Sequence, residues 1–474
     1  MTVGKQITKG ALYIAVGKLA VLLIYVVNVT LIPRFLGPES MGFYSYWLSV
    51  YFVSTTILNF GAASILMRYL PELRKTHEEA IRPLIKKILQ IKFPLIFLVI
   101  LGGAFLFPGE RMFFYTILLA SVFYSIISVE KIILYAYKDM KKYSLVDFSR
   151  ISIRLLFILL LFVLFRDSGI LLAILLSTLL VSLIYGFFAL KLIPGTSETL
   201  ASPFRDYLTF GLFIYLADIF SILAVWLVVI ISRRYTNSMA MVGFLGLGIQ
   251  ICFSVIVNLM YFLGESIFPS LVEFHVTDDV RFIKSLEANW KYTNLILIPL
   301  ICGLFILAKP TVAIVIGEKY LPSVKIIRLL LPATVFMIWG YVYKQILFIF
   351  KRKVTLFLAQ LARFIAFIST IFFFIKNWGI VGASLSVLLG AFVAFIYVYL
   401  AASRIERIPS QLPHVFRPIL SSAVMCIVIG FINIGSPAAL IGTILLGMLV
   451  YFAVMLLIRG VTGTDIQRLK GVFQ

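Results

Sequence analysis

Residues 112–165 read MFFYTILLASVFYSIISVEKIILYAYKDMKKYSLVDFSRISIRLLFILLLFVLF: two apolar runs around a segment, residues 130–154, that holds nine charges. A helix rises 1.5 Å per residue, so roughly 20 apolar residues cross a bilayer core about 30 Å thick. Each flanking run has that length. Only KDMKK (138–142) is polar enough to be a turn, so the remaining charges belong to the helices. Lys131, seven residues before Lys138, then lies about 10 Å into one helix, and Arg150 and Arg154 lie about 12 and 18 Å into the next. The stretch predicts a helical hairpin in lipid with charge at depth.

The rest of the chain has the same character. Of 474 residues, 62% are hydrophobic and 13% charged, against about a quarter charged in globular domains. This composition predicts an all-α integral membrane protein without room for a soluble domain. A net charge of +22 could suggest nucleic acid, but the basic residues fall mainly in short loops between apolar runs, the pattern that orients membrane proteins. No nucleic-acid partner is expected. Cys252, Cys302 and Cys426 lie in apolar runs without ligand spacing, and His77, His275 and His414 fall in loops, so neither a metal site nor a disulfide framework is expected.

On the length ruler the chain divides into fourteen spans, about 10–33, 41–66, 86–107, 112–136, 143–165, 169–190, 207–231, 241–264, 289–308, 327–350, 354–375, 379–402, 417–434 and 439–459. The first run lacks a small-residue cleavage site and reads as a transmembrane helix. With both termini cytoplasmic, basic residues favour the inner loops by about threefold. The outer loops keep Arg34, Arg111, Arg166, Arg233, Arg234, Lys309, Lys319, Lys325 and Lys376. A multi-pass protein of the cell membrane, surrounded by lipid and monomeric, is expected.

An internal repeat is visible. A shift of 201 sets Gly10 on Gly211 and Gly42 on Gly243; a shift of 213 sets Lys131 on Lys344, Lys138 on Lys351 and Arg150 on Arg363. Charged residues are scarce in spans, so their coincidence carries the most weight. The implied architecture is two six-helix lobes around a central cavity, residues 1–203 and 204–404, followed by two helices and a tail in 405–474. The junction IPGTSETLASPFRD (193–206) has linker composition.

Three segments carry a family resemblance. RFLGPESMGFYSYWLSVYFVSTTILNFGAASILMRYLPELR (34–74) resembles the signature of MOP-superfamily polysaccharide flippases across their first two helices, in Arg34, Leu36-Gly37-Pro38, Gly42, Tyr44, Asn59, Gly61, Arg68 and Tyr69. FKRKVTLFLAQLARFIAFISTIFFFIKNWGIVGASLS (350–386) is similar to the family's eleventh helix and its entry into the twelfth, with Ser384 where alanine is usual. Asp218 followed by MVGFLGLG (241–248) resembles the seventh and eighth helices, while helix one offers Lys18 in place of an arginine pair. The resemblance implies a rocking transporter that moves a polyprenyl-(pyro)phosphate-linked oligosaccharide from the cytoplasmic to the outer leaflet, without a cofactor and with proton or sodium coupling as an option.

A charge at the bilayer centre costs about 2.5–3.5 kcal/mol on insertion scales, so each buried charge needs a reason. Lys18, Lys131, Arg150, Arg154, Lys344 and Arg363 are the candidates for holding a headgroup phosphate, arginine through its planar fork and lysine as a point charge. The structural alternatives are snorkelling for Lys131 and Lys92 and an Asp147–Arg150 ion pair. Asp218 either pairs with Lys18 or, like Asp147, is a coupling site. Asn28, Asn59, Gln250, Asn258, Gln345 and Gln360 are either sugar ligands or glue between helices. Pro94, Pro299 and Pro332 would kink their helices. The cationic excess argues against a MATE-like drug or metabolite antiporter. The short outer loops, with Glu318 as the one acid in 309–326, argue against a membrane polymerase or ligase.

Overall fold

The computed structural model describes residues 3–193, 204–405 and 412–460. Most of the expected linker, residues 194–203, lies outside them. Among the described residues all regular structure is helical: α1 (Val3–Asn59), α2 (Ala62–Thr76), α3 (Ile81–Leu106), α4 (Arg111–Ala136), α5 (Met140–Leu190), α6 (Phe204–Tyr235), α7 (Met239–Ile249), α8 (Asn258–Thr277), α9 (Asp279–Thr311), α10 (Ser323–Ile349), α11 (Lys353–Ser403), α12 (Leu412–Gly430) and α13 (Pro437–Leu457). A π-helical segment, Gln250–Val257, joins α7 to α8. Ten of the helical stretches are long and apolar enough to cross a membrane. Helices suit this sequence because lipid offers no partner for backbone amides and carbonyls, and a helix satisfies them internally.

Three helices are each broken by one non-helical residue: α1 at Gly37 (φ 77°), α5 at Arg166 (φ 52°, ψ −133°) and α11 at Gly379 (φ 56°, ψ −138°). The last two lie 213 residues apart with the same backbone geometry. The turns that precede their helices match as well. Lys138 and Lys351 both have positive φ, 61° and 56°. Hydrogen bonds from Tyr137, Lys138 and Asp139 N to Ile133, Tyr135 and Leu134 O (3.0, 3.0 and 2.9 Å) recur from Phe350, Lys351 and Arg352 N to Ile346, Phe348 and Leu347 O at the same lengths. α5 and α11 each have 51 residues. The 213-residue register is therefore written in the backbone, from the turn to the break.

By contacts the chain forms two compact units: Met1–Leu247 with Leu356–Gly390, and Gly248–Thr355 with Ala391–Gln474. In the first, α1 and α7 approach until their backbones touch. A Cβ on Gly42 would lie 1.9 Å from Met239 O, one on Gly243 2.3 Å from Pro38 O, and one on Gly246 2.3 Å from Ser45 Cβ. The contact is reciprocal: Pro38, Gly42 and Ser45 lie 201 residues before Met239, Gly243 and Gly246. Small residues at such a crossing let helices gain dispersion contact that lipid cannot match.

The second unit is tied by amides. Asn289 Nδ2 donates to Gln345 Oε1 (3.1 Å), Gln345 Nε2 donates to Gly264 O (3.0 Å) and Trp339 Nε1 donates to Asn294 Oδ1 (2.8 Å), linking α8, α9 and α10. α12 and α13 pack on α9 through Leu307, Met425, Ile429, Tyr451 and Met455, with Tyr451 Oη donating to Leu295 O at 2.9 Å. Gln345 is thus helix glue. So is Asn59, which accepts from Ser128 Oγ at 2.9 Å, while Asn28 and Asn258 bond back to their own helices.

Gly42→Ala and Gly243→Ala are expected to lower the melting temperature in detergent by several degrees, corresponding to the 1–3 kcal/mol of an overpacked core. Gly102→Ala, which meets nothing within 4 Å, is expected to leave it unchanged or raise it. Equal effects at all three positions would remove the crossing from its structural role.

Candidate functional site

The site grows from the contact of α4 with the first half of α5. Lys131 of α4 forms an ion pair with Asp147 of α5 and sits 5.1 Å from the Tyr143 ring centroid. One turn along α5, Arg150 Nη2 lies 3.5 Å from Asp147 Oδ1, and its guanidinium covers the Tyr124 ring at 4.5 Å. Arg154, one turn further, is 4% exposed, and its Nε and Nη1 are buried without a hydrogen-bond partner. α1 supplies Lys18, half-buried, whose charged neighbours include Lys131 and Asp147. It also supplies Tyr25 and Tyr51, which both lie within electrostatic reach of Arg150 and Arg154.

Of the six expected phosphate ligands, Lys18, Lys131 and Arg150 neighbour Asp147, and Arg154 joins Arg150 beside Tyr25 and Tyr51. Asp147 acts as an ion-pair partner and holds Lys131 as well as Arg150. Lys131 is held by Asp147, and Lys92 is buried against α4. Lys92 is 4% exposed and donates to Ser125 O at 2.8 Å, so it satisfies a carbonyl inside the α3–α4 contact. Its ammonium shares that carbonyl with Ser128 Oγ, which donates to Ser125 O at 2.7 Å. Tyr25, Tyr51 and Tyr124 escaped the sequence reading. Only Tyr124 left a trace there, two turns before Lys131 and so on the same face of α4.

The other candidates lie in α6, α10 and α11. Arg363 is 3% exposed and donates from Nη1 to Ser221 Oγ at 3.3 Å. One turn earlier Gln360 is buried with neither Oε1 nor Nε2 hydrogen-bonded, and Phe357 and Phe364 on this side of α11 pack on Phe220 at 6.0 and 5.3 Å. Lys344 is half-buried in α10, and Asp218 is exposed on α6. In the 213-residue register, Lys344, Gln360 and Arg363 occupy the positions of Lys131, Asp147 and Arg150. The second copy therefore keeps both cations and exchanges the carboxylate for an amide. Among the described residues no three histidine, cysteine or acidic side chains come together as metal ligands would.

Residues 7–275 match the model of a family described as polysaccharide biosynthesis protein. No curated protein matches the chain. Among solved structures, the lipid II flippase MurJ in an inward closed conformation superimposes with a TM-score of 0.74 at 16% identity, over 95% of this chain and 99% of that one. An inward-facing multidrug resistance MATE family transporter of the MOP superfamily gives 0.63 at 15% identity, over 82% and 97%. A MOP superfamily transporter from Pyrococcus furiosus, described for the reverse polarity of its binding pocket, gives 0.53 at 16% identity, over 84% and 95%. With the family match running over more than half of its length, on a multi-helical fold shared with a flippase and with transporters, this chain belongs to the family described as polysaccharide biosynthesis protein.

Proposed function

We propose that this protein flips a polyprenyl-(pyro)phosphate-linked oligosaccharide from the cytoplasmic to the outer leaflet of the cell membrane by alternating access, for surface polysaccharide synthesis. The observation that carries the reading is Arg154. It is a guanidinium buried among helices with two nitrogens unpaired, facing Tyr25 and Tyr51 together with Arg150, which shares Asp147 with Lys131. An uncompensated buried cation costs stability unless an anion is to arrive. A pyrophosphate carries at least two charges, and its oxygens suit the arginine fork. Tyr25, Tyr51 and Tyr124 add hydroxyls and ring faces of the kind that hold a phosphate or a sugar.

Lys344 and Arg363 are proposed to contribute from the second copy of the repeat, where no carboxylate stands at the position of Asp147. Fourteen crossings follow if the broken helices α1, α5 and α11 each count twice and the shorter α12 joins the ten long stretches. On that count both termini lie on one side, which the excess of basic residues in the loops there makes the cytoplasmic one, and two six-helix lobes, 1–203 and 204–404, precede a final helix pair. A MATE-like antiporter for drugs or metabolites is the competing reading, and the cation-rich cluster disfavours it.

Reconstituted liposomes carrying labelled polyprenyl-pyrophosphate oligosaccharide report leaflet transfer directly. Arg150→Gln and Arg154→Gln are expected to slow transfer at least tenfold, about 1.4 kcal/mol each, and full transfer by the double variant would sink the phosphate-binding role. Stability should divide the same residues differently. Arg154→Gln is expected to hold or raise the melting temperature, because it removes an uncompensated charge. Asp147→Asn is expected to lower it by several degrees, because it leaves Lys131 and Arg150 without a counterion.

A further inference from the structure

One residue before Lys131, but against the second half of α5, lies an acid that the flippase reading does not use. Glu130 is 6% exposed. Its Oε1 accepts from Ser182 Oγ at 3.0 Å, and its Oε2 is buried with no partner at all. Both contacts fall on the second half of α5. There Gly186 makes the room, since a Cβ at that position would come within 2.9 Å of Glu130 Oε1. A carboxyl group is therefore seated in a notch shaped for it, with one oxygen bonded and one empty-handed.

The charged and titratable groups around α4 are occupied elsewhere. On α4 itself Lys131 is bound to Asp147; on α5 Asp147 is shared with Arg150, and Tyr185 is hydrogen-bonded to Ser149 at 3.0 Å. On α3 Lys92 donates to Ser125 O, and on α2 Arg74 donates to Ala136 O at 2.9 Å while Arg68 covers Tyr69. On α1 Tyr51 faces Arg150. None of these cations forms an ion pair with Glu130. An ionised carboxylate so placed would carry an unpaired oxygen and no counter-charge, an arrangement costing far more than a neutral carboxylic acid.

The repeat shows that helix packing does not require an acid here. In the 213-residue register Glu130, Ser182 and Gly186 correspond to Tyr343, Phe395 and Tyr399. Those three rings fill the equivalent contact, with Tyr343 at 6.2 Å from Phe395 and 5.5 Å from Tyr399. The same backbone register thus accepts aromatic rings in one copy and a carboxyl, a hydroxyl and a bare backbone in the other.

We propose that Glu130 is a proton-binding site: its carboxyl carries a proton while seated against Ser182 and Gly186, and releases it to water when that α4–α5 contact opens. The proton is the one ligand small enough for an oxygen with no accessible surface. Release leaves a carboxylate on Glu130 and a hydronium in the aqueous phase, so each opening moves one proton. This assigns proton coupling to Glu130 and not to Asp147, whose oxygens are taken by Lys131 and Arg150. The coupling arm rests on the flippase reading; the protonation arm does not.

Infrared spectra of the purified protein at neutral pH test protonation without any transport. A carbonyl stretch of a protonated carboxylic acid is expected in the wild type and in Asp147→Asn, lost in Glu130→Gln and shifted in Ser182→Ala. A band that Glu130→Gln leaves untouched would overturn the proposal. In liposomes, a pH gradient is expected to accelerate glycolipid transfer by the wild type severalfold, and Glu130→Gln is expected to transfer at one gradient-independent rate. An equal response to the gradient in both proteins would overturn the coupling. Absence of transfer by the wild type would count against the flippase reading alone, and the infrared result would then decide the proton site.

Discussion

The closest constraint on this fold is the meeting of α1 with α7, where Gly42 and Gly243 each present bare backbone to a carbonyl of the other helix. Two helices in lipid gain nothing by burying leucine, because the hydrocarbon is as apolar as the side chain; they gain by coming close. Reciprocity makes the contact economical, since one small-residue pattern used twice supplies both surfaces. One of the two crossing helices, α1, also carries part of the cationic cluster. α1 brings Lys18 and Tyr25 before the break at Gly37 and Tyr51 after it, so the position of that break sets how the tyrosines meet α4 and α5.

The cluster itself is built on imbalance. Asp147 holds Lys131 and Arg150, while Arg154 keeps two buried nitrogens without a hydrogen-bond partner. Had the site been meant only to join α4 and α5, a one-to-one pair or a greasy contact would serve better, since buried pairs seldom outdo hydrophobic packing. The repeat sharpens this, because the second copy keeps the two cations and gives up the acid for Gln360. The two copies thus agree in their cations and differ in the acid between them.

Much of this was legible in the chain beforehand. Apolar run length gives the helices, and scarce lysines and arginines give the 213-residue register, because a charge in a lipid span is too costly to recur by accident. Lys18, Lys131, Arg150 and Arg154 could be singled out by depth alone. Depth does not say which way a side chain turns, and there the reading stopped. It could not tell that Lys92 would find Ser125 O, that Gln345 would be consumed by Asn289 and Gly264, or that Tyr25 and Tyr51 would line the arginines. Aromatic residues are too common in this composition for three of them to stand out. Glu130 was hidden for another reason: its partners are a serine and a missing side chain fifty-odd residues on, and neither carries a periodic signal.

The turns at Lys138 and Lys351 have a mechanical meaning. Each is closed by the same three backbone hydrogen bonds around a residue with positive φ, so α4 with α5, and α10 with α11, are stiff at the hairpin end. Bending must then be taken up at the far end of each lever, where Arg166 and Gly379 already sit off the helical backbone. One of these joints is a glycine and swivels freely; the other is an arginine, for which the same geometry is strained. The same joint is therefore strained in one copy of the repeat and unstrained in the other.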